Sequence, residues 1–269
     1  MDRIPVTVAG ILGQMGRRLM LGISGHPALK LSGGTLRSGH PGLGQDLGVL
    51  SGIGLLGIAA TDNLAKALES AKVLIDFTSP AALKAHLAAA QKVGCAAVIG
   101  TTALGDREKA ALKEASAVIP VLWAPNMSLG VNLLYKLVSE AAKSLGPDFD
   151  VEIVEAHHHR KKDAPSGTAV RLFEVIAEAK ELDKKEALIT GRNGLVGARP
   201  TGEIGVLALR GGDIVGEHTV YFCGQGERLE LTHRAQSRDT FAAGAMRAAV
   251  WLAGKSKGLY SINDVLGLK

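Results

Sequence analysis

From Ile4 to about Pro125 the chain alternates short apolar segments with segments of helical periodicity, and this alternation constrains the fold more than any other feature. The apolar segments read as buried strands, and glycine or proline punctuates the helical segments that follow them. The predicted strands are Val6–Ala9, Leu29–Leu31, Val73–Asp76, Ala96–Ile99 and Val118–Trp123. A repeated strand–helix order predicts a parallel sheet with helices on both faces.

The pattern changes near residue 128. Helices are predicted over Val131–Leu145 and Thr168–Ala179, with a strand over Asp150–Glu155 between them. Short strand-like runs joined by glycine turns follow, and these predict a mixed or antiparallel sheet. They are Glu203–Leu209, Ile214–Phe222 and Arg228–His233. The last predicted helices, Thr240–Ala253 and Ile262–Leu266, are expected to pack on the first domain.

The predicted architecture is therefore α/β with two domains. A Rossmann-like parallel-sheet domain takes residues 1–128 plus 240–269, and an α+β domain with a mixed or antiparallel sheet takes residues 129–239. Within the first domain, Gly33–Gly57 is unusually rich in glycine. We expect this segment to be a flexible surface excursion outside the core.

Composition narrows the function classes. With 269 residues, 46% hydrophobic and 21% charged, the chain is typical of a soluble globular protein with a large core, and no apolar run is long enough for a membrane span. The net charge is +5, but the basic residues are dispersed and aromatic residues are only 4%, which disfavours nucleic acid as a partner. Two widely separated cysteines and a chain that enters a strand at once predict a cytoplasmic protein.

A glycine-rich turn follows the first predicted strand and opens the first helix. Glycines permit a tight turn and the close approach of a diphosphate, and the helix N-terminus offers unpaired amides. The spacing G-x-x-G-x-x-G departs from the usual dinucleotide fingerprint, because Leu12 stands where the second glycine would fall. The placement between strand and helix still predicts a dinucleotide site. Its residues are Gly10, Ile11, Leu12, Gly13, Gln14 and Met15.

The residues after the second predicted strand indicate which dinucleotide is bound. An acidic residue there would bind both ribose hydroxyls of NAD, but the chain has Leu36 followed by Arg37. Because a guanidinium pairs well with phosphate, Arg37 predicts NADPH, with NADH as the alternative. Ligands of open α/β sheets lie at the carboxyl ends of the strands. Further predicted cofactor contacts therefore follow two later strands: Gly100, Thr101, Thr102, Ala124, Pro125, Asn126 and Met127.

The stretch from Glu155 to Thr168 holds three histidines, three fixed cations and a Ser-Gly-Thr turn, directly after a predicted strand. Such a cluster repels itself and adds nothing to a core, so it indicates a site that holds an anion while protons move. Only His157 and His159 could share a metal ion on an extended segment, and the neighbouring cations would repel that ion. No metal site is predicted.

The pattern E-A-H-H-x-x-K-x-D-A-P-S-G-T-A, carried by Glu155–Ala169, resembles the signature of dihydrodipicolinate (4-hydroxy-tetrahydrodipicolinate) reductases. The resemblance extends over nearly the whole chain, including Gly10–Arg17, Asp76–Thr78, Gly211–Thr219 and Phe241–Gly254. It implies an NAD(P)H-dependent reduction in diaminopimelate and lysine biosynthesis, carried out in the cytoplasm by a homotetramer. It also implies a substrate domain joined by hinges to the dinucleotide-binding domain.

By position, the resemblance makes His157 the proton donor, Lys161 the catalytic lysine and His158 a substrate-binding histidine. The family's carboxylate-binding turn matches Ser166, Gly167 and Thr168. The implied substrate is a small cyclic dicarboxylate with a conjugated imine. Lys161 and the amides at the start of the following helix can hold one carboxylate, and nearby cations stabilise the charge that develops when hydride adds to the ring.

Other interpretations stay open. His218 and His233 lie in strand-like runs and are predicted to be structural. A different NAD(P)-dependent dehydrogenase for a small amino dicarboxylate would share the nucleotide signals but would not require the stretch Lys161–Thr168. A redox-sensing dinucleotide-binding protein would present an exposed interface instead of a cationic pocket.

Overall fold

The computed structural model describes residues 2–268 and divides the chain into two compact units. The first unit runs to Leu129 and resumes at Asp239, and the second unit is Gly130–Arg238. Within the described residues, no helix combines the length and apolar character that crossing a membrane requires.

The elements alternate along the first half of the chain and change order in the second. The strands are β1 (Ile4–Ala9), β2 (Leu29–Gly34), β3 (Val73–Asp76), β4 (Ala96–Ile99), β5 (Pro120–Trp123), β6 (Asp150–His157), β7 (Leu188–Ile189), β8 (Ile204–Arg210), β9 (Gly216–Cys223), β10 (Arg228–Ala235) and β11 (Gly258–Tyr260). The helices are α1 (Gln14–Ser24), α2 (Leu47–Ser51), α3 (Leu64–Ala67), α4 (Pro80–Val93), α5 (Asp106–Ser116), α6 (Leu129–Leu145), α7 (Gly167–Ala179), α8 (Lys184–Ala187), α9 (Asp239–Leu252) and α10 (Ile262–Leu266), with a 3-10 turn at Gly146–Asp148.

Six strands of the first unit form one parallel sheet in the order β11-β5-β4-β3-β1-β2. All four residues of β3 and of β4 are buried, as expected for a parallel sheet covered on both faces. The predicted Rossmann-like sheet is therefore confirmed. The sixth strand, β11, was not predicted because its three residues are too short to show an alternating pattern.

The C-terminal helix α9 belongs to the core of the first unit. Its buried alanines pack in the same hydrophobic cluster as residues of β1 and α1, including Val8 and Leu19. Gly244 allows this close packing, because a Cβ at that position would lie 1.8 Å from the carbonyl oxygen of Met127. Residues from near both ends of the chain thus belong to one hydrophobic core.

The prediction that Gly33–Gly57 is a flexible excursion outside the core is wrong. Leu36 and Leu47 are buried in the main hydrophobic cluster, and α2 begins within the segment. The carboxylate of Asp46 organises the fold here, because it accepts hydrogen bonds from the amides of Gly48, Val49, Leu56 and Ile58. The many glycines hide the spacing of the buried leucines in the sequence, and the hydrogen bonds of Asp46 are what bring these leucines into the core.

The second unit contains a five-stranded mixed sheet in the order β10-β9-β6-β8-β7. The central strand β6 runs parallel to β8 and antiparallel to β9, and β10 pairs antiparallel with β9. Helices α6 and α7 supply Leu134, Val138, Leu172 and Ile176 to a core that also includes Val151 of β6. The prediction of an α+β unit with a mixed sheet is confirmed.

Candidate active site

Strand register in the second unit brings distant residues to one place. Because β6 is parallel to β8, His157 at the end of β6 is the partner of Arg210 at the end of β8. Because β6 is antiparallel to β9, Glu155 is the partner of His218. The residues of the basic stretch therefore meet side chains from two other strands that lie more than fifty positions away in sequence.

The carboxylate of Glu155 is the centre of this arrangement, and its side chain is 0% exposed. It accepts hydrogen bonds from Nδ1 of His157 (2.6 Å) and the amide of Ser166 (2.9 Å), and from both Nη atoms of Arg210 (2.7 and 2.8 Å). Burial raises the pKa of Glu155, but the hydrogen bonds from His157, Arg210 and Ser166 outweigh burial and lower it to about 2. Glu155 is therefore ionised at neutral pH.

The imidazole of His157 is oriented from both sides. Its Nδ1 faces the ionised Glu155 and so carries a proton, which leaves Nε2 as the nitrogen free to exchange one. The ring packs edge-on against His218 with centroids 5.2 Å apart. Gly216 of β9 makes room for it, because a Cβ there would lie 3.0 Å from Nε2.

His218, a buried residue of β9, also contacts residues of this site. Its Nε2 lies 3.0 Å from Oγ of Ser166. Burial, assisted by the charge of His157, lowers the pKa of His218 to about 3, so the ring is neutral. Its contacts with Ser166 and His157 were not predicted, because only the pairing of β6 with β9 reveals them. For His233, burial also lowers the pKa.

His158 and Lys161 differ in their surroundings. Burial lowers the pKa of His158, and the positive charges of Arg160 and Arg238 lower it further. Nδ1 of His158 has no hydrogen-bond partner within residues 2–268. Lys161 is 17% exposed, and its Nζ contacts both carboxylate oxygens of Asp163 at 2.8 and 2.9 Å. Arg238, the last residue of the second unit, had no signal in the sequence.

The Ser166–Thr168 turn starts α7 as predicted, but Ser166 is already engaged. Its Oγ accepts the amide of Ala169 at 3.2 Å as an N-cap, and its own amide donates to Glu155. The expected anion contact through the Ser166 amide is therefore replaced by a protein carboxylate. Gly167 is exposed at the first position of the helix, and the Thr168 side chain hydrogen bonds the phenol of Tyr135.

In the first unit, the glycine turn lines a cleft of about 530 Å³. Gly13, the N-cap residue of α1, supplies no capping side chain, and the first turn of the helix has no acidic residue. Gly10 adopts a positive φ of 71°, and a Cβ at Gly16 would lie 2.2 Å from the Gly10 carbonyl oxygen. The turn is thus held tight by glycine, with the amides of a helix N-terminus beside the cleft.

The structure brings most of the predicted cofactor residues of the glycine turn to this cleft. Its lining includes Gly10, Leu12, Gly13, Gln14, Met15, Leu36, Arg37, His40, Phe77 and Thr78. Ile11 is different, because it is 0% exposed and packs in the core. Phe77 and Thr78 belonged to a motif of the sequence but had no assigned contact, and His40 was missed because a lone histidine beside a glycine gives no signal.

The remaining predicted cofactor residues lie at the carboxyl ends of β4 and β5 rather than in the lining of this cleft. The amide of Gly100 donates to the carbonyl of Asp76 (2.8 Å), and Nε1 of Trp123 donates to the carbonyl of Thr101 (3.2 Å). Thr102 is exposed beside them. The segment Ala124–Met127 follows β5, and Asn126 bonds the amide of Ser128. These residues lie at the same carboxyl edge of the parallel sheet as the end of β3, but they do not line the cleft beside Gly10.

Comparison with known proteins identifies the family. Residues 4–127 match dihydrodipicolinate reductase, N-terminus, and residues 130–266 match dihydrodipicolinate reductase, C-terminus. The 4-hydroxy-tetrahydrodipicolinate reductase of Anaeromyxobacter dehalogenans (strain 2CP-C) is 52% identical over 264 residues, covering 98% of each chain. The reductase of that name from Myxococcus xanthus (strain DK1622) is 49% identical over 268 residues, covering 99% of this chain and 98% of the other.

A solved structure with a similar fold is the dipicolinate-bound dihydrodipicolinate reductase from Paenisporosarcina sp. TG-14. Its TM-score is 0.76 at 23% identity, and the match covers 97% of this chain and 98% of that chain. An amine dehydrogenase from Mycobacterium smegmatis shares the fold less closely, with a TM-score of 0.58 at 13% identity, over 97% of this chain and 96% of that chain. On sequence matches that cover nearly its whole length, the chain belongs to the dihydrodipicolinate reductase family.

Proposed function

We propose that this chain reduces 4-hydroxy-tetrahydrodipicolinate to tetrahydrodipicolinate with NADPH and one proton, releasing NADP⁺ and water. If the substrate is the dehydrated dihydrodipicolinate, the same equation holds without the water. As a member of its family, the chain is an NAD(P)H-dependent oxidoreductase of diaminopimelate and lysine biosynthesis. The proposal concerns the form of the substrate, the preferred cofactor and the residues that act.

One observation carries the mechanistic part of the proposal: the ionised Glu155 holds Nδ1 of His157 in a largely buried site. An imidazole fixed in this way presents Nε2 as its exchangeable nitrogen, which is what a general acid requires. Lys161 follows four residues later, and within residues 2–268 its Nζ pairs only with the exposed carboxylate of Asp163. The site therefore combines a proton donor with a cation that can exchange partners.

The residues of the first unit fit a dinucleotide. The start of α1, with glycine at its N-cap, offers amides to a diphosphate, and Gly16 and Gly10 let the turn pack tightly beside them. Arg37 lines the same cleft and carries the charge that suits the 2′-phosphate of NADPH. When bound, the reduced nicotinamide supplies hydride to the substrate ring.

The residues of the second unit have distinct proposed tasks. Lys161 leaves the Asp163 carboxylate for a substrate carboxylate, helped by the amides of Gly167 and Thr168 at the start of α7. Nδ1 of His158 is buried without a partner among the residues described. We assign this histidine one hydrogen bond, as donor or acceptor, with a substituent of the substrate ring. Nε2 of His157 delivers the proton after hydride has added.

A spectrophotometric assay tests the proposed reaction. The purified chain is mixed with NADPH and freshly generated 4-hydroxy-tetrahydrodipicolinate, and the loss of reduced-nicotinamide absorbance is followed. We expect turnover that depends on the chain and on both substrates, with formation of tetrahydrodipicolinate verified by mass spectrometry. Absence of turnover with this substrate, while another amino dicarboxylate is reduced, would favour a different dehydrogenase of the same fold.

The resemblance also leads us to propose a homotetramer located in the cytoplasm, acting on a small molecule rather than on nucleic acid or a membrane. Light scattering coupled to size-exclusion chromatography measures the mass in solution, and four times 27.9 kDa is the expected result. A monomer at catalytic concentration would remove the tetramer from the proposal without affecting the reaction.

A further inference from the structure

We propose that Glu155 and Arg210 are positioning residues that fix the tautomer of His157 and the shape of the Lys161-containing loop. The inference rests on the proposed function for its kinetic test, but its structural part concerns two side chains of the second unit alone. Neither residue was assigned a role from the sequence. Both are placed behind the imidazole rather than at the nitrogen that exchanges a proton.

The first argument is the set of donors around Glu155. One carboxylate receives four hydrogen bonds, from His157, from the Ser166 amide and twice from Arg210. Two of these partners, His157 and Ser166, stand on either side of the loop 158–165. A single buried side chain therefore ties the end of β6 to the start of α7 and fixes both ends of that loop.

The second argument is the reach of Arg210. Besides its two bonds to Glu155, its Nη2 donates to the backbone carbonyl of Asp163 at 2.9 Å, and its Nη1 donates to the carbonyl of Leu209 at 2.6 Å. Asp163 in turn holds Nζ of Lys161. The guanidinium thus connects the carboxylate behind His157 to the middle of the loop that carries the lysine, and its planar fork matches that task.

The third argument is the balance of charge. A buried carboxylate is costly unless it is paired, and Arg210 supplies the opposite charge while His157 Nδ1 supplies a donor. A glutamine in place of Glu155 has one accepting oxygen where the carboxylate has two, so it cannot accept all four hydrogen bonds. Its NH₂ group would face either His157 and Nη1 of Arg210, or the Ser166 amide and Nη2 of Arg210. The neutral amide removes the negative charge that favours a proton on Nδ1, and an NH₂ group facing His157 favours the tautomer with the proton on Nε2.

The kinetic test compares Glu155→Gln with Glu152→Gln on the same strand. Glu152 also forms ion pairs, with Arg192 and Arg199, but it has no contact with His157. For Glu155→Gln we expect kcat to fall about 10- to 100-fold, the loss typical when the partner that orients a metal-bound imidazole is removed, while the KM for NADPH stays unchanged. Glu152→Gln should retain the wild-type kcat.

Arg210→Lys provides the second variant, because lysine keeps the charge but lacks the two-pronged fork. We expect a loss of kcat smaller than that of Glu155→Gln, again with no change in the KM for NADPH. A loss confined to stability, with wild-type kcat in the folded fraction of both variants, would overturn the positioning role. So would an equal loss of kcat in Glu152→Gln.

A spectroscopic test is independent of turnover. Long-range ¹H–¹⁵N correlation spectra of chain labelled at histidine nitrogen distinguish a proton on Nδ1 from one on Nε2, and His157→Gln assigns the signals. The wild type should show the neutral His157 ring protonated at Nδ1, and Glu155→Gln should show a population protonated at Nε2. A wild-type ring protonated at Nε2 would overturn the inference, whereas a chain with the expected tautomers but no reductase activity would overturn only the proposed function.

Discussion

The two helix starts that the sequence analysis identified as anion sites, those of α1 and α7, are built in opposite ways. The start of α1 has a glycine, Gly13, at its N-cap and so no capping side chain from that residue. The turn before it is held by close glycine packing, by the Thr35 hydroxyl, which accepts from the Gly10 amide, and by Arg17, which donates to the carbonyl of Leu12. The start of α7 is crowded, with the Ser166 hydroxyl on one amide and the carboxylate of Glu155 accepting from another. One region offers its amides to a ligand, and the other has already used part of them.

The difference shows that a helix N-terminus preceded or followed by glycine can serve either as a ligand site or as an anchor for neighbouring side chains. In the first unit, the proposed binding surface is the backbone itself, so we expect recognition to depend on the absence of side chains. In the second unit, the helix start is an anchor for a network that orients His157, and charged side chains are proposed to do the chemistry. Substitutions should therefore affect turnover in the second unit and cofactor affinity in the first.

The largest expected effect is that of His157→Gln. Loss of the general acid should lower kcat by about 10²–10⁴, while NADPH binding measured by fluorescence titration persists. The matched control is His159→Gln, because His159 is exposed and its ring only contacts the carbonyl of Gly212 at 2.8 Å. Unchanged kcat in His157→Gln would show that this residue is not the proton donor. It would also contradict the proposal that the second unit supplies the general acid.

Arg37→Ala sharpens the cofactor side of the comparison. Losing hydrogen bonds to a charged group costs about 1.5–3 kcal/mol, so the KM for NADPH should rise roughly 10- to 100-fold. The KM for NADH should stay the same, because NADH lacks the 2′-phosphate. Arg107→Ala, which removes an exposed arginine of α5, controls for net charge. Equal losses for both cofactors would contradict a 2′-phosphate contact.

Acid sensitivity tests the buried network of the second unit. The pKa of His218 is held at about 3 in the folded state, below its usual value, so its contribution to stability is complete above pH about 6.5 and is lost as pH falls toward 3. Between about pH 7 and about pH 5 this histidine alone should remove about 2 kcal/mol from the free energy of unfolding. Urea titrations at both pH values measure it.

The control for that measurement is His218→Asn, which keeps a polar group beside Ser166 but does not titrate in this range. Between the same two pH values, the free energy of unfolding of the variant should fall by about 2 kcal/mol less than that of the wild type. Identical pH dependence in the two proteins would mean that His218 is not held neutral by its surroundings.

The smallest effect is expected at the cap of α7. Ser166→Ala removes the oxygen that accepts the Ala169 amide, whereas Ser166→Thr keeps a hydroxyl that can accept it. We expect Ser166→Ala to be less stable than the wild type by about 1 kcal/mol in chemical denaturation, and Ser166→Thr to lose less. Equal stability of Ser166→Ala and the wild type would show that the hydroxyl contributes nothing.

The parallel sheet could be predicted because its strands are short, apolar and punctuated by glycine and proline, so burial on both faces is visible in the sequence. The Gly33–Gly57 segment could not, because its order depends on one carboxylate, that of Asp46, collecting amides ten and twelve residues away. Hydrophobic periodicity carries no signal of such a contact.

The site shows the same division. The basic stretch and the glycine turn were visible as local patterns, and the structure places both at the ends of strands. The pairing of Glu155 with Arg210 was not visible, because the two residues are 55 positions apart and meet only through the parallel register of β6 and β8. A network assembled by strand pairing needs the sheet topology before it can be inferred.

Gly216 has a consequence for sorting relatives of this chain. Its missing side chain is the space in which the His157 ring sits, since even a methyl group would stand 3.0 Å from Nε2. In a related protein that keeps the histidine, a larger residue at this place in β9 would force the imidazole to move from this position. One position on a neighbouring strand thus offers a marker for relatives in which the histidine is seated differently.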